Sequence, residues 1–260
     1  MTRVSVVELP DNRDRFELAW PALLQHVDFA ESDVVVLPEL PAGAWFGTKP
    51  AFDPKRWDRV VAAHDELVSR LGEFGNAVVI GSRAANVNSQ RRNIAFVWSK
   101  ETGLIDLHPK AILPEEPGFH EQSWYHAGDD APMVVDVRGM TIGVLLCSEL
   151  MHTERARKLG DAGATMIGVP RATGDHQRWQ IASQIAAIAS GAFVLSSNRS
   201  GQSQDDASVI FGGRSMIVDP DGTILTETGR DKQFATASID LDASKAAKST
   251  YPRYLDFGDR

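Results

Sequence analysis

The chain has 260 residues, of which 43% are hydrophobic, a formal net charge of −8 at pH 7 and one cysteine. This length and composition allow a large hydrophobic core and are unlike those of disordered chains. The acidic balance argues against a general nucleic-acid-binding surface. One cysteine excludes both an intramolecular disulfide and a cysteine-rich metal site.

The N-terminal sequence has no long apolar region and no small-residue cleavage site of the kind found in signal peptides. Apolar runs such as residues 142–147 are far shorter than a membrane-spanning helix. We therefore expect a cytoplasmic protein with no membrane partner and no nucleic-acid partner. Since no change in composition marks a linker, residues 1–260 are expected to form a single domain.

Short apolar runs rich in valine and isoleucine recur along the chain and are typical of buried strands. They cover residues 4–9, 34–37, 77–82, 94–98, 133–137, 141–147, 165–169, 192–197 and 215–218. Helices are predicted for residues 13–30, 57–71, 153–162 and 177–190. In the last helix Ile181, Ile185 and Ile188 form a stripe that is expected to pack on a sheet, and Gly191 is expected to end the helix.

The order of strands and helices is not a simple βαβ repeat. Strand-like segments follow one another directly between residues 77 and 107 and again after residue 211, where residues 219–222 (DPDG) predict a hairpin turn. Mixed sheets with helices on their outer faces accommodate such an order. The tail, residues 249–257, is too apolar for a solvated end and is expected to pack on the body or on a partner subunit.

Cys147 lies at the end of the apolar run of residues 142–146 and before a predicted helix. A cysteine at such a strand-to-helix elbow can expose its sulfur at a sheet end, where backbone N–H groups stabilise the thiolate. This placement favours a nucleophile. From position alone, the alternative is a small buried apolar residue.

Glu39 and Lys110 also follow strand-like segments. Active sites of open α/β sheets collect at the carboxyl ends of strands, where a desolvated Glu39 could act as a general base for a thiol. Lys110 is flanked by apolar residues and prolines, and a buried lysine needs a carboxylate partner. Taken singly, Glu39 could equally be a capping or solvated acid and Lys110 a surface ammonium.

Three blocks considered together carry a family resemblance. Residues 37–40 (LPEL), 108–113 (HPKAIL) and 143–149 (GVLLCSE) resemble, in order and spacing, the signature segments of the nitrilase superfamily of carbon-nitrogen hydrolases. Residues 117–121 (PGFHE) and 124–129 (WYHAGD) resemble the loop in which that family carries a second glutamate. The resemblance extends from about residue 4 to about residue 240.

The resemblance implies an α/β fold, a four-layer αββα sandwich of two mixed β-sheets flanked by helices, in a homodimer or larger homo-oligomer. It implies chemistry without a cofactor or a metal. By the same resemblance Glu39 takes the thiol proton, Cys147 attacks the substrate carbon and Lys110 stabilises the oxyanion. Glu121 matches the second glutamate, which positions Lys110 or the substrate and can assist proton transfer. A backbone N–H of Ser148 would be a second oxyanion donor.

Three further residues are candidates for substrate binding. Arg171 follows a predicted strand and could pair with a substrate carboxylate, although a surface or interface arginine is the alternative. Trp124 and Tyr125 could form an apolar pocket wall together with Trp45 and Phe46, unless they serve ordinary core packing.

Other features limit these assignments. Glu115 and Glu116 also lie near Lys110, so the choice of Glu121 depends on the block of residues 124–129 that follows it. Residues 148–152 (SELMH) differ from the family pattern of an aromatic residue and an aspartate followed by an arginine-rich stretch, so substrate recognition is expected to differ there. His152 and His176 lack a metal-binding spacing.

The sequence thus predicts an amidase-type hydrolase that cleaves a non-peptide carbon-nitrogen bond of a small linear amide through a cysteine thioester. The alternatives are an N-carbamoyl amine or amino acid amidohydrolase, then a nitrilase, then a non-catalytic metabolite-binding member of the family. A nucleotide-binding domain is disfavoured because the chain has neither GxGxxG nor the Walker-type GxxxxGK[ST] motif.

Overall fold

A computed structural model describes residues 1–129 and 133–255. The α-helices are α1 Arg13–Phe29, α2 Pro54–Arg70, α3 Glu121–Trp124, α4 Thr153–Asp161, α5 Gln177–Ser190 and α6 Leu241–Ala247, and short 3-10 helices cover Leu71–Phe74 and Cys147–Met151. The strands are β1 Thr2–Pro10, β2 Val34–Val36, β3 Val78–Val87, β4 Gln90–Ser99, β5 Gly103–Pro109, β6 Glu115–Glu116, β7 Phe119–His120, β8 Val134–Val137, β9 Met140–Val144, β10 Met166–Arg171, β11 Phe193–Gln202, β12 Ile210–Gly212, β13 Met216–Val218, β14 Ile224–Glu227 and β15 Phe234–Ile239.

Apart from β6 and β7, which form a small antiparallel pair, the strands form two mixed sheets. The first has the order β5-β4-β3-β2-β1-β15, in which β1, β2 and β3 are parallel and the other pairs are antiparallel. The second has the order β8-β9-β10-β11, with β12 and β13 antiparallel to β11 and β14 paired with β13. The sheets are joined where residues 8–10 of β1 pair in parallel with residues 198–200 of β11.

The two sheets pack face to face through branched aliphatic side chains. Val36 and Ile80 of the first sheet and Ile142, Val144 and Leu195 of the second belong to one buried cluster. Helices α1 and α2 cover the outer face of the first sheet, and α4 and α5 cover the outer face of the second. The predicted αββα sandwich of two mixed sheets is therefore confirmed.

The predicted packing face of α5 is wrong. Ile181 and Ile185 are 45% and 44% exposed, and the buried face carries Ala182, Ala186 and Ala187 instead. Small side chains let α5 lie close to α4, where a Cβ atom on Gly160 would be 2.3 Å from a backbone oxygen of α5. A stripe of isoleucines could not approach so closely, so it faces outward.

Local polar contacts set several element boundaries. Helix α2 begins at Pro54, three residues before the predicted start, because the Asp53 side chain accepts the backbone N–H groups of Lys55 and Arg56. The predicted hairpin turn between β13 and β14 is confirmed, with Asp219 Oδ1 accepting two backbone N–H groups of the turn.

The described part of the tail is hydrogen-bonded to the body of the protein. The buried Arg253 guanidinium donates to the backbone oxygens of Ala247, Ile188 and Pro220. Tyr251 and Tyr254 are largely exposed. Residues 256 and 257 of the predicted tail lie outside the described residues. In the part of the chain that is described, no helix is both long and apolar enough to span a bilayer.

Candidate active site

Three strand ends from the two sheets bring Glu39, Lys110 and Cys147 together. Glu39 follows β2 and Lys110 follows β5 in the first sheet, whereas Cys147 follows β9 in the second. Glu39 and Lys110 are fully buried, and Cys147 is 4% exposed. The site is therefore assembled across the sandwich from segments that are distant in sequence.

The Lys110 ammonium lies between two buried carboxylates. Its Nζ donates to Glu39 Oε1 at 2.8 Å and to Glu121 Oε2 at 2.6 Å. Burial alone would lower the pKa of Lys110, but the charges of Glu121 and Glu39 outweigh burial and raise it above its ordinary value. The lysine is therefore a fixed cation at neutral pH.

Glu121, at the start of α3, is the acid that contacts Lys110. Burial raises its pKa to about 7, although the Lys110 charge opposes the rise, and the Tyr125 hydroxyl donates to its Oε2. Glu115 pairs instead with His120 at 2.8 Å, and the exposed Glu116 lies at the cavity mouth. Of the three acids near Lys110 in sequence, only Glu121 is hydrogen-bonded to it.

Cys147 occupies a strained elbow. Strand β9 ends at Val144, three residues before the predicted end, and Cys147 has a φ of +48°, a conformation that is uncommon for a residue with a Cβ atom. Burial raises the pKa of its thiol well above the ordinary value, Glu39 raises it further, and Lys110 and the Ala172 N–H lower it. The resting group is therefore a neutral thiol that needs a nearby base.

Glu39 has one oxygen available for that role. Its Oε1 accepts from Lys110 and, at 2.8 Å, from Asn93 Nδ2. Its Oε2 is buried without a hydrogen-bond partner among the described residues. Asn93 and Lys110 together thus orient the carboxylate and leave one oxygen free to accept a proton.

A cavity of about 780 Å³ opens onto Cys147 and Ser148. Its walls include Phe119, Trp179 and Val209, and charged side chains stand at its exposed side. The Ser148 hydroxyl donates to Ile112 O at 2.5 Å. The cavity is larger than a simple amide group requires, so it has room for an extended acyl chain.

The other predicted substrate-binding side chains are not among the residues that line this cavity. Trp124 and Tyr125 are 2% and 1% exposed, and the Trp124 indole donates to Lys49 O at 2.8 Å. Arg171 donates to Ser196, Thr173 and the backbone oxygen of Arg214, at 2.6, 3.0 and 2.9 Å. Both aromatics are therefore buried, with the Tyr125 hydroxyl donating to Glu121, and the Arg171 guanidinium is used in internal hydrogen bonds.

Sequence reasoning missed several buried polar residues that support the site. Asn93, in the middle of β4, holds Glu39, and its only sequence signal is a polar residue at the start of an apolar run. Arg199 donates to Glu39 O at 3.0 Å and forms a buried ion pair with Asp11. Glu149 accepts four hydrogen bonds near Cys147 and Lys110.

A metal site would need several ligating side chains close together. In residues 1–129 and 133–255, no three His, Cys, Asp or Glu side chains are grouped so that they could hold a metal ion. His176 lines the cavity, and His152 lies beside Glu154 at 3.4 Å.

The sequence comparisons point to a single family. The family model described as carbon-nitrogen hydrolase matches residues 4–249. The 2-oxoglutaramate amidase of Bacillus subtilis (strain 168) is 27% identical over 234 residues, which cover 86% of this chain and 85% of that protein. The N-carbamoylputrescine amidase of Arabidopsis thaliana is 23% identical over 246 residues, covering 86% and 81%.

Solved structures share the fold. A carbon-nitrogen hydrolase from Helicobacter pylori G27 aligns with a TM-score of 0.84 at 22% identity, covering 97% of this chain and 94% of that one. A glutamate-to-glutamine mutant of the amidase from Nesterenkonia sp. AN1 aligns with a TM-score of 0.76 at 20% identity, covering 94% and 96%. In that mutant, acrylamide has undergone Michael addition at the active-site cysteine.

Proposed function

Because the chain belongs to the carbon-nitrogen hydrolase family, we propose that it cleaves a small linear amide through a thioester on Cys147. The observation that carries the proposal is the buried Lys110 ammonium, held at 2.8 Å from Glu39 and 2.6 Å from Glu121. A fixed cation and a carboxylate with a free oxygen lie beside a neutral thiol, which is the set of groups that acyl transfer to sulfur requires.

In the first half-reaction, Glu39 Oε2 takes the proton of Cys147 as the sulfur attacks the carbonyl carbon. The carbonyl electron pair moves to oxygen, where the Lys110 ammonium and a backbone N–H of Ser148 donate to the oxyanion. The carbon-nitrogen bond then breaks, and Glu39 returns the proton to the departing nitrogen. Ammonia or an amine leaves, and the acyl group remains on sulfur.

In the second half-reaction, water hydrolyses the thioester. Glu39 takes a proton from the attacking water, Lys110 again stabilises the oxyanion, and collapse of the tetrahedral intermediate releases the carboxylic acid. The proton returns from Glu39 to the sulfur of Cys147. Glu121 accepts a hydrogen bond from the Lys110 ammonium at 2.6 Å and so holds that cation in place.

A linear amide is our first choice of substrate because of the cavity and the relatives. The cavity of about 780 Å³ has room for an extended chain and is lined by polar as well as apolar side chains, and the relative from B. subtilis is named for an amide of a linear dicarboxylic acid. An N-carbamoyl compound is the second candidate, since other relatives are N-carbamoylputrescine amidases. The two differ in products, because carbamoyl hydrolysis yields carbon dioxide and an amine as well as ammonia.

The test is ammonia release by the wild-type chain and by Cys147→Ala over linear dicarboxylic monoamides, aliphatic amides, N-carbamoyl amines and amino acids, and nitriles. We expect release from at least one linear amide by the wild type and none by the mutant. Cys147→Ser is the matched control for hydrogen bonding at the elbow, and all proteins are compared by circular dichroism. Release that persists in Cys147→Ala would contradict the proposal.

We also propose that the chain acts as a single catalytic domain in a homodimer in the cytoplasm. The outward face of α5, with Ile181 and Ile185 nearly half exposed, supports association of two copies. Light scattering at several concentrations tests the dimer, and a monomer at all concentrations would refute it.

A further inference from the structure

We propose that Glu149 is a positioning residue that fixes the position of Cys147 relative to Lys110 across the two sheets. The inference rests on the proposed function, which gives those two residues their roles. Glu149 is fully buried two residues after Cys147, and it touches neither the sulfur nor the ammonium through any hydrogen bond that the structure shows. Its effect on the reaction therefore passes through the backbone.

One oxygen of Glu149 holds the nucleophile elbow. Oε2 accepts the backbone N–H of Leu146 at 2.8 Å and His108 Nε2 at 2.9 Å. Leu146 directly precedes Cys147, whose positive φ of +48° must be maintained by surrounding contacts. The hydrogen bond to Leu146 is such a contact, since it fixes the peptide from which the elbow starts.

The other oxygen holds the lysine segment. Oε1 accepts the backbone N–H of Ala111 at 2.8 Å and Arg155 Nη2 at 3.2 Å. Ala111 directly follows Lys110, and His108, bound to the first oxygen, lies two residues before it. The backbone of Lys110 is further held by Asn93 O at 2.7 Å and by the Gly128 N–H at 2.9 Å.

The bridge matters because no strand pairing connects these two segments. Lys110 follows β5 of the first sheet and Cys147 follows β9 of the second, whereas strand pairing between the two sheets occurs, among the described strands, between β1 and β11. Elsewhere they meet through apolar side chains, which are not directional, and through single hydrogen bonds such as those from the Glu39 N–H to Arg171 O and from the Ser148 hydroxyl to Ile112 O. A carboxylate that accepts from both segments supplies a directional connection near the reacting groups.

The charge of Glu149 is needed for this role. Burial opposes its ionisation, but the hydrogen bonds from His108 and Ala111 and the charge of Arg155 hold its pKa below the ordinary value. A carboxylate can accept all four donors, whereas the amide of a glutamine presents N–H groups on one side. In Glu149→Gln, one backbone N–H, at Leu146 or at Ala111, must therefore face another donor.

The experiment compares Glu149→Gln and Glu149→Asp with Glu8→Gln as the matched control. Glu8 is also buried and accepts a backbone N–H, that of Arg214 at 2.8 Å, but it has no hydrogen bond to the segments of Cys147 or Lys110. Three quantities are measured: kcat and KM for ammonia release, the pH profile of Cys147 alkylation by acrylamide, and the melting temperature.

We expect Glu149→Gln to lower kcat by about 10- to 100-fold with KM within about threefold, because small misplacements of reacting groups cost rate rather than binding. Alkylation of Cys147 should slow by about tenfold, and its pH profile should shift, because the Lys110 ammonium no longer has its wild-type position relative to the sulfur. Glu149→Asp retains the charge on a shorter side chain, so its kcat should lie above that of Glu149→Gln and below that of the wild type. Glu8→Gln should stay within about twofold of the wild type for both rates.

The proposal is overturned if Glu149→Gln and Glu8→Gln have equal kcat and equal alkylation profiles. If Glu149→Gln does not fold, Glu149→Asp decides, since a shorter carboxylate cannot reach both segments and kcat equal to wild type would overturn the proposal. A wild type that releases no ammonia refutes the proposed function instead. The acrylamide profiles still report on Glu149 in that case, because they need no substrate.

Discussion

Replacing Lys110 with methionine removes the cation that Glu39 and Glu121 share. The Nζ atom lies 2.8 Å from one carboxylate and 2.6 Å from the other, and all three side chains are at most 1% exposed. Methionine keeps most of the side-chain volume, so the change is mainly one of charge. The variant leaves two carboxylates buried without their counterion.

The expected losses are large. Removing one partner of a buried ion pair destabilises a protein by about 3–5 kcal/mol, which corresponds to roughly 6–20 °C in melting temperature for a chain of this size. Loss of an oxyanion donor lowers kcat by about 10²- to 10³-fold. Burial already raises the pKa of Glu121 to about 7, and without the lysine it rises further. A carboxyl whose folded-state pKa is raised favours folding at low pH, so the deficit should be larger at pH 8 than at pH 5.

Urea unfolding at pH 5 and pH 8 and ammonia release measure these losses. Lys248→Met is the matched control, because Lys248 is partly buried but donates to the backbone oxygens of Gly160 and Ser190, at 3.0 and 3.1 Å, away from the site. It should keep its activity. Lys110→Arg restores the charge and decides the matter if the methionine variant does not fold. A loss of unfolding free energy in Lys110→Met that is equal at pH 5 and pH 8, or activity of that variant within tenfold of wild type, would refute the reasoning.

Three further changes have defined outcomes. Asn93→Ala removes the donor 2.8 Å from Glu39 Oε1 and should cost about 1.5–3 kcal/mol of stability and roughly tenfold in kcat; kcat within twofold of wild type would contradict this. His64 is fully buried, and burial lowers its pKa to about 4. The unfolded state therefore binds this proton at a higher pH than the folded state does. Acidification from pH 6.5 to 4 should lower the free energy of unfolding by about 3 kcal/mol through His64 in the wild type and not in His64→Gln. An equal pH dependence of the urea-unfolding free energy in the two proteins would contradict this. Truncation after residue 248 removes Arg253 with its buried hydrogen bonds and should lower the melting temperature by about 4–8 °C; an unchanged melting curve and assembly would show that the tail is dispensable.

The periodicity of apolar residues predicted most elements because burial leaves a direct mark on composition. It could not locate the end of β9, since Leu145 and Leu146 are as buried outside the strand as Ile142 is inside it. It also misplaced the buried face of α5, where close approach to α4 favours alanine over isoleucine. Hydropathy reports that a residue is buried, but not which neighbour requires it to be small.

The residues of the candidate site were likewise predictable only in part from the sequence. Glu39, Lys110 and Cys147 each end a strand-like run within a recognisable motif, so their convergence was predictable. Asn93 lies outside the motifs and Glu149 ends one of them without a predicted role, and their roles depend on hydrogen bonds between segments 38 to 54 residues apart. Trp124 and Tyr125 were expected at the pocket wall from their place in the chain, but both are buried and neither is among the residues that line the cavity.

The most direct test of the account is to trap the acyl-enzyme. The wild type is mixed with the amide that gives the fastest ammonia release, quenched in acid within milliseconds to seconds, and analysed by intact-protein and peptide mass spectrometry. The account predicts a mass increase equal to the acyl group on the peptide that contains Cys147, absent in Cys147→Ala. Turnover with an acyl group on another residue, or ammonia release by Cys147→Ala, would contradict it.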